Sequence, residues 1–113
     1  MPSEKYQKRL WEVLVPKASN SSQEYTLSHH QGWDSQVRAI ARGLTIFKKA
    51  RGQWISPEGE LFNEEMIPVR IFCSQVSLDR ILDITLDHYD QKAVMAYEIS
   101  TKVVLKYKKT RKQ

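Results

Sequence analysis

The spacing of apolar residues along the chain changes several times, and each change predicts an element. Trp11, Val13 and Val15 alternate with Leu10, Glu12 and Leu14. A period of two predicts a strand, and apolar residues in both registers predict a central one. Pro16 closes it, and residues 17–27 form a polar loop rich in Ser, Asn and Gln. The spacing then lengthens. Trp33, Val37, Ile40 and Ala41 recur every three or four positions, the stripe of an amphipathic helix. Ser28 with Gln31 three residues on reads as a capping box, and Gly32 moves the regular start toward Trp33. Arg42 falls in the last turn and Gly43 at the position that ends the helix.

Extended structure is expected again from Leu44 to Ala50, with a bulge or bend at Arg51-Gly52 and a resumption at Gln53-Trp54-Ile55. Pro57-Glu58-Gly59 is a turn signal, because proline sets φ and glycine accepts a positive one. Residues 44–74 therefore read as one long bent hairpin. Its return strand is strongest from Met66 to Cys73, where Pro68 marks a bulge or the start of full pairing. Ser77 caps a second helix over 78–89 with Leu78, Ile81, Leu82, Thr85 and Tyr89 as its buried stripe. Asp79, Asp83, Asp87 and Asp90 climb its solvated ridge and lack the glycine-containing loop of a calcium site. Residues 92–100 alternate as another strand, and Val103-Val104-Leu105 extends it or adds a short fifth.

The resulting order, β-α-β-β-α-β, is the ferredoxin-like split βαβ of the α+β class. Right-handed crossovers put both helices on one face of an antiparallel sheet. The last strand then lies at one edge, beside the first strand, with the hairpin's return strand next and its outgoing strand at the other edge. The opposite face stays open, and the alternation assigns it Glu12, Arg70 and Glu98, with Leu14, Phe72 and Ala96 beside them. Such a face calls for a cover. A second subunit is the simplest one, so a homo-oligomer is expected, a dimer first, with a small ligand as the next choice.

The 113 residues suit a single domain over 1–105, frayed over 1–7. The net charge is +5, but Lys106, Lys108, Lys109, Arg111 and Lys112 supply all of it as a tail over 106–113. The rest of the chain balances 13 basic against 13 acidic side chains, which weakens a nucleic-acid reading. No apolar run reaches the roughly 18 residues of a membrane helix, and no export signal opens the chain, so a cytoplasmic protein without a membrane partner is expected. The single cysteine, Cys73, sits in an apolar strand and reads as a buried hydrophobe. Three histidines and one cysteine show no familiar zinc spacing, and no cofactor motif is present, so neither metal nor cofactor is expected.

Gly43-Leu44-Thr45, Gly52-Gln53-Trp54 and Pro57-Glu58-Gly59 are followed by Phe72, Leu82 and Tyr89-Asp90-Gln91-Lys92-Ala93-Val94. Over residues 43–105 this order resembles a family of small bacterial domains of unknown function, many of them exported. The resemblance implies a ferredoxin-like fold and no particular activity. The segment Ser28-His29-His30-Gln31-Gly32-Trp33-Asp34 and the lack of an export signal depart from that pattern.

That segment is also the leading candidate for chemistry. His29 and His30 at a helix N-terminus, with Trp33 as an apolar wall, could receive a small anion. His88 and Gln91, around the end of the second helix, are candidates for the same cleft. Trp54 on the hairpin arm is a candidate clasp for a partner, and Arg38, Arg42, Lys48, Lys49 and Arg51 form a candidate basic patch. No nucleophile–base–orienter set is present. The first reading is therefore a non-catalytic oligomeric binding module. A small dimeric enzyme with a histidine acid–base in a cleft is the second, and a nucleic-acid binder using the basic tail is the third.

Overall fold

A computed structural model describes residues 4–109. After a 3-10 turn at Glu4–Tyr6, the strand β1 runs over Lys8–Pro16. The helix α1 follows at Leu27–Ala41, then β2 at Thr45–Ile46, β3 at Ala50–Ile55 and β4 at Leu61–Ser74. The helix α2 spans Gln75–His88 and β5 spans Met95–Ser100. The antiparallel sheet has the order β2-β4-β1-β5, with β3 also paired to β4. This is the split βαβ arrangement, with β1 and β4 at the centre as the strand pattern requires.

The alternation in β1 sends Trp11, Val13 and Val15 to one face, where they meet Val69, Ile71 and Cys73 of β4. Both helices close over that face with Trp33, Val37, Leu78, Ile81 and the residue after α2, Tyr89. Cys73 is buried there, and burial pushes its thiol up to about 11, so it packs as a hydrophobe. Trp11 returns its indole N–H to the Cys73 carbonyl at 3.0 Å, which removes the cost of burying that donor.

Several boundaries differ from the sequence expectation, each for a local reason. Thr26, not Ser28, caps α1, since its hydroxyl accepts the His29 N–H at 3.1 Å. Gly32 consequently lies inside the helix. Arg42 itself takes the left-handed C-cap conformation (φ 72°), so Gly43 is not the terminating residue. Ser74, not Ser77, caps α2 by accepting the Ser77 N–H.

The hairpin breaks at residues 47–49, not at Arg51-Gly52, which pair regularly with Glu65 and Glu64. Pro68 explains the position. Phe47 donates its N–H to the Pro68 carbonyl at 3.0 Å, but proline has no N–H to return. The β2 ladder therefore stops opposite Pro68 and resumes as β3, while β4 continues unbroken. Residues 103–105 form neither an extension of β5 nor a fifth strand; residues 101–109 are exposed and belong to no strand or helix. Arg111 and Lys112 of the basic tail lie outside the described residues.

The molecule measures 63 × 35 × 22 Å, with a radius of gyration of 16.6 Å. A compact chain of this length would have about 13 Å. The β3–β4 arm and the C-terminal segment account for the difference by projecting from the two-layer body.

Candidate functional site

The structure brings His29, His30 and His88 together, although they come from opposite ends of two helices. His29 and His30 stand in the first turn of α1, and His88 ends α2. His29 donates from Nε2 to the His88 carbonyl at 2.8 Å, and His88 donates from Nε2 to the His29 carbonyl at 2.6 Å. These reciprocal bonds place a proton on Nε2 of both rings. Gln36 lies 3.3 Å from Nδ1 of His88 and can donate to it. His30 Nδ1 lies 2.6 Å from the Tyr89 hydroxyl. Burial pushes that hydroxyl far above its ordinary value, so it stays protonated and donates to the imidazole. Burial also lowers the pKa of His30, with smaller contributions from the neighbouring histidines, while Asp34 opposes them.

Tyr25 completes the cluster. It stacks on His29 with centroids 4.7 Å apart and donates its hydroxyl to the Tyr89 carbonyl at 2.6 Å. Gln91 donates to that same carbonyl at 3.1 Å. Trp33, expected to wall a ligand site, is 1% exposed and donates to Thr85 Oγ1 at 2.9 Å in the core. The imidazoles of His29 and His88 thus bond each other's backbone carbonyls, and that of His30 bonds the Tyr89 hydroxyl. Their chemistry joins the start of α1 to the end of α2. An open groove of about 230 Å³ lies beside them, lined by Ser19, Gln23, Glu24, Tyr25, Thr26 and His29. Glu24 in its wall is paired with Lys17 at 2.9 Å.

A second cluster stands on the open sheet face. Cross-strand register sets Glu12 between Arg70 of β4 and Tyr97 of β5. Arg70 donates from Nε to Glu12 Oε1 at 3.1 Å, and the Tyr97 hydroxyl donates to Oε2. That bond to a carboxylate raises the pKa of Tyr97. The Arg70 guanidinium lies over the Phe47 ring, 4.8 Å from its centroid. Glu12 is only 7% exposed, although no other layer of the described chain covers this face.

Leu14 and Phe72 share the face, being in register with Met95 and Leu10. Glu98 does not. It pairs opposite Trp11 and bonds Arg9 at 3.1 Å, on the helix-covered side of the sheet's edge. Ala96, paired with Val13, packs against the core. The ladder is regular from Trp11/Glu98 to Leu14/Met95, so it is Met95 and Tyr97 that β5 presents to the open face, and Ala96 and Glu98 fall on the other. Tyr97 and Phe47 were absent from the sequence candidates. The signal that finds them is the register across three strands, which no single segment contains.

Trp54 stacks on Phe62 of its own arm at 4.5 Å and stays 47% exposed. The basic patch is interrupted by acid. Lys49 bonds Glu65 at 3.2 Å, and Arg51 lies opposite the same Glu65 in register. Arg38 and Arg42 stand at the far end of α1, with Arg42 as its cap. Among the described residues no three His, Cys, Asp or Glu side chains gather as a metal ion would require, and no helix is long and apolar enough to cross a membrane.

No family model matches this chain, and no curated protein matches it by sequence. Solved structures do match its fold. A phage SAM lyase in complex with S-methyl-5'-thioadenosine is similar with a TM-score of 0.61 and 13% identity, over 88% of this chain and 95% of that one. The periplasmic divalent cation tolerance protein CutA from Archaeoglobus fulgidus is similar with a TM-score of 0.63 and 11% identity, over 88% of each chain. CutA1 from Oryza sativa is similar with a TM-score of 0.65 and 11% identity, over 91% of this chain and 87% of that one. At such identities the likeness establishes the ferredoxin-like α+β fold, which the residue pattern of 43–105 also implied, and nothing finer.

Proposed function

We propose that the protein is a homo-oligomeric small-molecule-binding domain whose ligand lies on the open sheet face against Glu12, Arg70 and Tyr97. The observation that carries this reading is the near-burial of Glu12 on a face that no layer of its own chain covers. Desolvating a carboxylate is costly, and the Arg70 and Tyr97 bonds offset that cost while fixing all three groups. Only Nε of Arg70 is engaged among the described residues, so its Nη atoms remain to meet a ligand carboxylate. Phe47, Phe72 and Tyr97 supply rings for a flat or cationic group. A second copy over the same face would complete the enclosure.

The second reading makes the occupant a sulfonium nucleoside and the domain its lyase. Two observations favour it: similarity to the phage SAM lyase spans nearly all of that chain, and this chain lacks a nucleophile–base–orienter set. A sulfonium carries its own leaving group. Attack by the ligand's own carboxylate closes a lactone, breaks the carbon–sulfur bond and releases a neutral thioether. Such chemistry asks the protein to position charge, not to supply a nucleophile. Similarity to the cation tolerance proteins supports a metal reading less well, since among the described residues no three ligating side chains gather.

The test combines calorimetry with S-adenosylmethionine and S-methyl-5'-thioadenosine, chromatographic assay for thioether release, and light scattering. Binding lost in Arg70→Ala, by at least about tenfold as for a charged hydrogen bond, supports the site. Product formation supports the lyase. A monomer that binds neither compound sinks both readings.

A further inference from the structure

We infer that the C-terminal segment of one copy adds a strand to the outer edge of β3 on the arm of another copy. Residues 103–109 belong to no helix or strand and make no backbone hydrogen bond among the described residues. Val104 is 91% exposed, Leu105 69% and Tyr107 79%. Exposed β-branched and aromatic residues with unpaired backbone N–H and C=O groups have the makings of a strand. Its pattern agrees: Val103, Leu105 and Tyr107 fall on one face, with Lys106 and Lys108 on the other.

The partner edge is identified by charge and shape. The arm, residues 50–66, carries Glu58, Glu60, Glu64 and Glu65 against Arg51 alone. The segment over 102–109 carries Lys102, Lys106, Lys108 and Lys109 and no acid. Strand β3 pairs only with β4, so its other edge is open among the described residues. The arm also exposes Trp54, Ile55 and Leu61, large apolar groups at a projecting tip. Leu105 and Tyr107 can cover the Trp54–Phe62 stack, which puts Lys109 on the same face as Glu64, and the acidic tip at Glu58 and Glu60 adds a general attraction for the lysines. The open edge of β5 is the weaker choice, because its acid, Glu98, is already held by Arg9. An open edge of this kind is closed by β-augmentation. Tail and arm are different surfaces, so the contact is heterologous and closes as a ring or as a reciprocal exchange.

The experiment uses the full chain. Light scattering should give a multiple of 13.2 kDa, and Leu105→Pro should reduce it to one chain with an unchanged circular dichroism spectrum. Proline removes the N–H a ladder needs, at a position that is exposed and makes no backbone hydrogen bond among the described residues. A mixture of Gln53→Cys and Val104→Cys proteins should form the mixed disulfide on oxidation; native Cys73 is buried and does not compete. Retention of the oligomer in Leu105→Pro overturns the inference. So does cross-linking confined to single chains that carry both substitutions. Ligand binding at Glu12 and Arg70 is read separately, so failure here leaves that reading standing.

Discussion

Gly32 shows how a residue with poor helix propensity is held in place by a distant partner. A Cβ there would sit 3.2 Å from Cε1 of His88. That ring is fixed by its bond to the His29 carbonyl and faces Gln36 across Nδ1, so it has little freedom to retreat. Alanine would gain about 1 kcal/mol of helix propensity in an exposed helix. Displacing His88 strands its partners, which costs about 1–3 kcal/mol. Gly32→Ala is therefore expected to lower stability in urea by roughly 1 kcal/mol. A stabilised variant would show that the His88 ring moves freely.

His30 carries a pH signature with a definite sign. Its pKa is lowered in the folded chain, chiefly by burial. Below the unfolded pKa of about 6.5, the unfolded chain takes up the proton first. This contribution to stability is present above that value and is lost as pH falls through the folded pKa. NMR titration should place the His30 midpoint below 6.5, and His30→Gln should flatten the decline of stability below pH 6.5. A midpoint at or above 6.5 would show that the Tyr89 contact does not exclude water.

At the scale of elements, the break opposite Pro68 divides the hairpin into two regimes. Below it, β4 is flanked by β1 and backed by both helices. Past Pro68, β1 still reaches Met66 and Lys17 bonds the Glu65 carbonyl; beyond Glu65, β3 and β4 form a two-stranded ribbon with exposed faces. Isolated ribbons are marginal in water. Amides over 50–55 and 61–65 should therefore exchange with solvent faster than those of Val13, Val69 and Ile71 in a protein held monomeric by Leu105→Pro. Equal protection would mean that the arm is supported from within its own chain. The same strands show what was legible. Periods of two and three to four named β1, both helices and the hairpin, because each pattern is local. The break was misplaced because it depends on a missing N–H in β4 that acts on a strand some twenty residues earlier.

The functional cluster was legible by halves for the same reason. Glu12 and Arg70 were assigned to the open face from their own strands. Tyr97 joined them only through register, and Glu98 left because β5 presents Met95 and Tyr97, not Ala96 and Glu98, to the open face. The histidines stand out in the sequence, but the partners of all three, two carbonyls and the Tyr89 hydroxyl, are some sixty residues away. A ligand reading and a stapling reading have identical sequence signatures. Only the geometry of both helix ends separates them.

At the scale of the molecule, the charge is divided between a neutral body and a basic tail, and the arm is acidic. If tail and arm pair between copies, the lysines that would bind a polyanion are already engaged. Neutralising the arm by Glu58→Gln, Glu60→Gln and Glu64→Gln leaves Glu65 with Lys17 and Lys49. It should weaken the oligomer and free Lys106, Lys108 and Lys109. The combined variant is then expected to elute from heparin at higher salt than the original chain, while its mass in light scattering falls. Both changes should shrink as ionic strength rises, because exposed charges are screened beyond about 8 Å at physiological salt. A tail that hangs free in every copy predicts a different result. The removed carboxylates would then add only a small general gain in heparin affinity, and the mass would not move. Observing the gain in retention together with the loss of mass distinguishes an engaged tail from an idle one, since only an engaged tail couples the two measurements.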